Sequence, residues 1–227
     1  MLAALPDADY HRLEPHLEWV ELPLGKVIGE LSEPLTHVYF PTEGIVSTLA
    51  SVADGTLVEI AIIGSEGIIG TSLLLEGLGA PGPLRRSVVE IAGHAYRVRA
   101  DILMAEFERG GKVRHWLLRY TQALITQIAQ IAVCSRHHDL QAQLCRWLLQ
   151  RLDRLASSEL YVTHKQIASL LGVRRESVTE TASQLQEAGL IRYSRGHVVV
   201  LDRVGIEERA CECLGVIQKE YARLLDV

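Results

Sequence analysis

The segment THKQIASLLGVRRESV, Thr163 to Val178, governs how the C-terminal part of this chain is read. Thr163 is a candidate N-cap, and Gln166, three residues on, completes a capping box. Ile167, Leu170 and Leu171 supply the apolar positions of a short helix that stops at Gly172. After Val173, the stretch Arg174 to Thr181 opens a second helix running to Glu187. Val178, Ala182 and Leu185 form its buried stripe, and Ala188-Gly189 ends it. Two short helices joined by a tight glycine-containing turn predict a helix-turn-helix. In that motif the start of the second helix meets base edges in the major groove.

The residues off the apolar stripe suit that task. Arg174, Arg175, Glu176, Ser177, Thr179 and Glu180 are donors and acceptors; arginine can grip guanine with two hydrogen bonds, and glutamate can accept one from cytosine. The following run, Leu190 to Leu201, reads as a hairpin turning at Arg195-Gly196, a wing beside the helix pair. Arg192, Arg195 and His197 are placed to meet phosphates, which position a protein without reading sequence. Thr163 and Lys165, at the first helix's start, complete the expected DNA-facing set. From Thr163 to Arg203 six bases face four acids, so this segment is +2 while the whole 227-residue chain is −5, leaving −7 elsewhere. The global charge alone therefore does not exclude nucleic acid.

N-terminal to this unit lies a long helical pattern. Val113, Leu117, Tyr120, Leu124, Ile128 and Ile131 step by three and four, marking one face of a helix between Lys112 and Ser135. A rod of that length reads best as packed on the preceding domain along one side and on a second copy along the other, with these six residues as the expected dimer face. A second helix follows His137-His138-Asp139, with Asp139 as its N-cap; the two histidines read as a solvated junction. From Glu18 to Val98 the signals are short β-rich runs separated by Gly and Pro, which predict a small sandwich or barrel. Within Leu57–Ile63, Glu59 interrupts an apolar run, as in a strand with one wet edge. The last segment, with Ile206, Ala210, Leu214, Ile217, Tyr221 and Leu224, reads as one closing amphipathic helix.

These motifs closely resemble those of the Crp/Fnr-type bacterial transcription regulators, and the resemblance covers nearly the whole chain. It rests on Thr163–Val178 with Leu185 and Ala188–Ile191, and on Leu24–Ile28, Val38–Pro41 and Gly44–Ser47, which look like the opening strands of the family's cyclic-nucleotide-binding β-roll. The implied fold is α+β. Residues 1–110 form a β-roll sensor, 111–136 the dimerisation helix, and 137–227 the winged helix-turn-helix. The implied function is that of a homodimeric, sequence-specific regulator binding double-stranded DNA at an inverted repeat, with RNA polymerase a further candidate partner. By resemblance Arg175 and Glu176 are the base-reading positions; the family often has a second arginine where Glu180 stands, which implies a different DNA consensus.

The resemblance also implies a ligand site at Gly70, Thr71, Arg86, Ser87 and Thr126. Arg86-Ser87 keeps the phosphate-holding pair, a fixed cationic fork beside a hydroxyl. Thr71 replaces the family's ribose-binding acid, and the long helix is poor in hydroxyls where the base-contacting pair falls. Leu78–Leu84 looks like an inserted loop. The expectation is a pocket for an unidentified small-molecule effector other than cAMP, with no cofactor.

Other classes fit less well. An oxygen-sensing iron–sulfur cluster needs N-terminal cysteines, yet the four cysteines are Cys134, Cys145, Cys211 and Cys213. The last two sit as Cys-x-Cys inside a helical pattern, and free buried thiols are the expectation, with no metal. No motif supports haem. A cupin-type metal enzyme would carry a His-x-His element, whereas His37 and His94 are isolated. An adaptor that binds protein through the helix pair is the other alternative, favoured by Glu180. No apolar run approaches the ~18 residues of a membrane span, and the acidic N-terminus is unlike a secretory signal. A cytoplasmic, non-enzymatic protein is expected.

Overall fold

The computed structural model describes all residues except 1, 3–4, 30–33, 52, 54, 79–84, 156 and 226–227, and only the backbone of Arg85. The expected loop Leu78–Leu84 thus lies, beyond Leu78, outside the described residues. The elements run α1 (Asp7–Leu13), β1 (Glu18–Leu22), β2 (His37–Pro41), β3 (Ile45–Ser51), β4 (Leu57–Ile63), α2 (Ser72–Glu76), β5 (Arg85–Ile91), β6 (Gly93–Arg99), α3 (Ala100–Arg109) and α4 (Gly111–His137). There follow α5 (Leu140–Leu155), β7 (Glu159–Tyr161), α6 (His164–Leu171), α7 (Arg175–Glu187), β8 (Ile191–Ser194), β9 (His197–Val200), α8 (Arg203–Arg209) and α9 (Cys213–Leu225). The chain divides into two compact units, one of Met1–Ala50, Ala61–Thr126 and Glu220–Val227, the other of Ser51–Ile60 and Gln127–Lys219.

The β-rich half forms two three-stranded sheets, ordered β1-β6-β2 and β4-β3-β5, in which β1 and β2 run antiparallel to β6 and β3 antiparallel to β5. Inward-facing Leu22, Ile28, Val46, Ile63, Ile69, Val89 and Ala95 fill the core between them, the alternation that a half-buried strand requires. The opening strand is Glu18–Leu22 rather than Leu24–Ile28, where only Val27 bridges to Val88. Tyr120 of α4, fully buried, donates its hydroxyl to the Ile68 carbonyl (3.3 Å). Gly67 is required here, because a Cβ would come within 2.4 Å of that hydroxyl oxygen.

Burial revises the reading of α4. Val113, Leu117, Tyr120, Leu124 and Ile131, taken from the sequence as the dimer face, are buried within the single chain, and Ile128 is half-buried. Hydrophobic periodicity marks a face that will be covered without saying by what. Among the residues left exposed, Leu118, Gln122, Ile125, Ala129, Ala132 and Arg136 again step by three and four along one side.

In the second unit, Glu59 does not sit on a wet edge. It is 4% exposed and makes an ion pair with Arg151, itself fully buried and stacked over Trp147 at 3.6 Å. A buried arginine needs such a partner, so Glu59 is a core residue. Asp139 caps α5 as anticipated, accepting from the Ala142 amide (2.8 Å). The expected closing helix is two helices. Ala210 adopts extended backbone (φ −71, ψ 147) and separates α8 from α9. Cys211 and Cys213 therefore flank a break instead of lying inside a helix, and they pack with Cys134 in one buried cluster. The Cys211 thiol, assisted by the positive charge of Arg146, holds the Cys134 thiol well below the usual thiol pKa, whereas burial pushes the Cys145 thiol up to about 12.

Candidate nucleic-acid interface

The helix pair is built by local sequence. The capping box is present: Thr163 Oγ1 accepts from the Gln166 amide (3.2 Å), and Gln166 Oε1 accepts from the Thr163 amide (2.8 Å). α6 ends where Gly172 turns left-handed (φ 67), and the Val173 amide reaches back to the Ala168 carbonyl (3.0 Å). That closure lets α7 start three residues later. Val178, Thr181, Ala182 and Leu185 bury its inner side.

The outer side of α7 carries Arg174, Arg175, Glu176, Thr179 and Glu180, all exposed, with Ser177 half-buried. The wing is a two-residue hairpin in which Ser194 pairs with His197. Arg195 (φ 50) and Gly196 (φ 80) both lie at positive φ, as a type I′ turn demands. Arg192 and Arg195 stand exposed on this hairpin, and Lys165 is exposed on the first turn of α6.

Several cations of the chain are neutralised locally. Arg97, Arg99, Arg203 and Arg223 are each tied to a carboxylate. Lys165, Arg174, Arg175, Arg192 and Arg195 make no ion pair among the described residues. Glu176 and Glu180 share α7 with Arg175 yet do not neutralise it. An exposed set of unpaired cations on a helix start and an adjoining wing is an anion-binding footprint. His197, read as a phosphate ligand, instead bonds Glu159 (3.0 Å) and stacks on Tyr161.

A staple missed in the sequence holds the parts together. The His164 ring stacks on Tyr193 of the wing (centroids 4.0 Å apart), and its Nδ1 bonds Thr179 Oγ1 of α7 (2.9 Å). Because Thr179 Oγ1 donates to the Arg175 carbonyl (3.0 Å), it accepts from the ring, which places the proton on Nδ1. His164 Nε2 is buried without a partner. Burial and then the nearby charge of Arg175 depress the pKa of His164, keeping it neutral. Tyr193 accepts from the His164 amide (3.2 Å) and donates to the Val162 carbonyl (3.3 Å). Only the aromatic Tyr193 in the wing sequence hinted at this.

The residues expected to hold an effector are distributed over three elements. Gly70 (φ 114) and Thr71 precede α2, whose first turn has no side-chain cap. Arg86 and Ser87 lie on β5 opposite Leu49 and Thr48. Thr126 donates to the Gln122 carbonyl of its own helix (3.2 Å). The cupin alternative gains nothing from the histidines: His94 bonds Glu43 and stacks on Trp19, and His37 bonds Thr36.

Known proteins carry the same architecture. Residues 142–209 match the Crp-like helix-turn-helix domain family. The chain is 24% identical over 206 residues to the CRP-like cAMP-activated global transcriptional regulator of Mycobacterium tuberculosis, spanning 87% of this chain and 90% of that protein. FixK2 from Bradyrhizobium japonicum superposes with a TM-score of 0.72 at 17% identity, covering 86% of this chain and 98% of that one. The c-di-GMP responsive global regulator CLP of Xanthomonas campestris gives 0.71 at 16% identity, covering 86% and 99%. No helix among the described residues is long and apolar enough to cross a membrane.

Proposed function

We propose that this chain, a Crp/Fnr-type transcription regulator with a DNA-binding helix-turn-helix, works as a homodimer on an inverted-repeat site in double-stranded DNA. The observation that carries this reading is the unpaired cationic set of Lys165, Arg174, Arg175, Arg192 and Arg195 around the exposed start of α7. Arg175 and Glu176 read base edges, with Thr179, Glu180 and Ser177 completing the contact surface. Arg192 and Arg195 on the wing, with Lys165 and Thr163 at the start of α6, hold phosphates. Arg174 adds a positive group beside the reading pair.

The second copy packs on the open side of α4, where Leu118, Ile125, Ala129 and Ala132 form an apolar seam. Small residues at 129 and 132 permit close helix approach, and the 3–4 spacing is that of a coiled-coil seam. The −7 remainder of the chain repels DNA, so two basic faces presented together bind where one alone does not. The regulator acts on RNA polymerase at the promoters it occupies, in the cytoplasm.

The effector is a small molecule other than cAMP, held through Arg86 and Ser87 on β5 with Gly70 and Thr71 at the neighbouring turn. Thr71 carries no charge to fix a ribose, and the Thr126 hydroxyl is engaged by its own helix. Two relatives of this architecture are described as responding to different nucleotides, cAMP in one and c-di-GMP in the other. Selection of bound genomic fragments followed by footprinting tests the DNA reading: protection of two half-sites ~34 Å apart, related by inversion, is expected. Enrichment of no fragment would favour the protein-binding adaptor. Calorimetry with cAMP tests the sensor, and binding well below millimolar would overturn that part.

A further inference from the structure

The break between α8 and α9 has a chemical consequence. On a continuous helix, residues two apart point about 200° away from each other, so Cys211 and Cys213 could not share a target. With Ala210 extended, both thiols turn toward the end of α4. There Cys134 and His138 lie four residues apart, and the His138 amide still bonds the Cys134 carbonyl (3.1 Å). Three sulfurs and one imidazole nitrogen converge, with all four donor atoms within 4.8 Å of one another.

We propose that Cys134, His138, Cys211 and Cys213 form a tetrahedral zinc site that fastens the last turn of α4 to the α8–α9 connection. Cys134 Sγ lies 3.4 Å from Cys211 Sγ, and Cys213 Sγ lies 3.7 Å from His138 Nδ1. Zinc–sulfur bonds of about 2.3 Å and zinc–nitrogen bonds of about 2.0 Å in a tetrahedron place neighbouring donors roughly 3.5–3.8 Å apart. The spacing therefore suits one ion and is too tight to enclose a multi-iron cluster. Three cysteines and one histidine are a donor set of structural zinc sites, which fill all four positions with protein atoms. The three cysteines are buried and His138 is largely so.

The surroundings complete the site. His138 Nε2 bonds the Glu212 carboxylate (3.2 Å), which leaves Nδ1 as the metal-facing nitrogen and fixes the ring's orientation. Arg146, 2% exposed, donates from Nε to Cys134 Sγ (3.3 Å) and offsets the excess negative charge of three thiolates around a divalent ion. Gln150 accepts from the Arg146 guanidinium and holds it in place. On metal binding the thiol protons pass to solvent and no electron is transferred.

The test uses full-length protein purified without chelator or affinity metal, with zinc measured by mass spectrometry and the site probed by Co(II) replacement. About one zinc per chain is expected, together with the thiolate-to-cobalt charge transfer and intense d–d bands of tetrahedral Co(II). Cys134→Ser and Cys211→Ser should each lose most of the bound metal. Glu212→Ala, which leaves every ligand in place, should weaken affinity about ten- to hundredfold. Cys145→Ser, a buried thiol outside the cluster, should keep full occupancy. Metal-free wild-type protein that gives no tetrahedral Co(II) spectrum would overturn the site. So would a Cys134–Cys211 disulfide in protein prepared anaerobically, or metal content unchanged in all the ligand variants. None of these readouts depends on DNA binding, so failure of the site and failure of the regulatory reading are separable.

Discussion

The wing should set the salt dependence of DNA binding. In the proposed dimer, Lys165, Arg192 and Arg195 of each copy face phosphates, giving six cations, while Arg175 is assigned to the base edges with Arg174 beside it. Each phosphate contact contributes about −0.9 to the slope of log affinity against log salt, so six predict a slope of about −5. Between 50 and 200 mM salt the affinity should then fall about a thousandfold. Arg192→Gln combined with Arg195→Asn removes four of the six charges, and asparagine tolerates the positive φ at 195 (φ 50). The slope should relax to about −2, leaving only about a tenfold loss over the same range. Fluorescence anisotropy with a labelled duplex of arbitrary sequence measures both slopes. A double variant whose slope stays within one unit of wild type would refute the assignment of the wing to phosphates.

Further expectations follow from other contacts. Ile125→Glu, on the open side of α4, should raise the dimer dissociation constant more than about a hundredfold by placing an unpaired charge in the seam; an unshifted monomer–dimer equilibrium in sedimentation would place the interface elsewhere. Glu59→Ala should destabilise the unit holding Arg151 by about 3–5 kcal/mol, because a fully buried guanidinium loses its counter-ion. Replacing the pair together, Glu59→Leu with Arg151→Met, should restore most of that loss in urea unfolding; a single-variant loss under about 1 kcal/mol would mean the pair is not buried. The depressed pKa of His164 makes the folded state bind fewer protons than the unfolded one, so stability should be full above the ordinary value of 6.5 and decline as pH falls below it. Melting curves of wild type and His164→Gln from pH 7 to 5 should converge, the variant being flatter; parallel curves would exclude His164 as the titrating group.

Much of this architecture was legible because local chemistry dictates it. A capping box, a glycine at the turn and a positive-φ hairpin at Arg195-Gly196 act over a few residues, so the winged helix could be read from spacing alone. Strand runs between turn signals likewise located β2 to β6. What escaped were matters of partnership across long separations. The apolar stripe from Val113 to Ile131 showed that a face of α4 is covered, but its covering lies within the chain. Glu59 looked solvated because its counter-ion is 92 residues away. The cysteines appeared scattered, and only the extended backbone at Ala210 brings Cys211 and Cys213 to Cys134 and His138. His164 carried no motif, since its staple joins α6, α7 and the wing, three elements that meet only in the folded unit.

The claim that α7 reads DNA is tested most directly by one comparison. Wild-type and Arg175→Ala protein would be titrated against the selected genomic site and against a scrambled duplex of equal length, at fixed salt. Loss of the Arg175 contact should weaken the selected site by about 1–3 kcal/mol while changing the scrambled duplex much less, so the ratio between them collapses. An unchanged ratio would mean that sequence is read from some other surface of the protein.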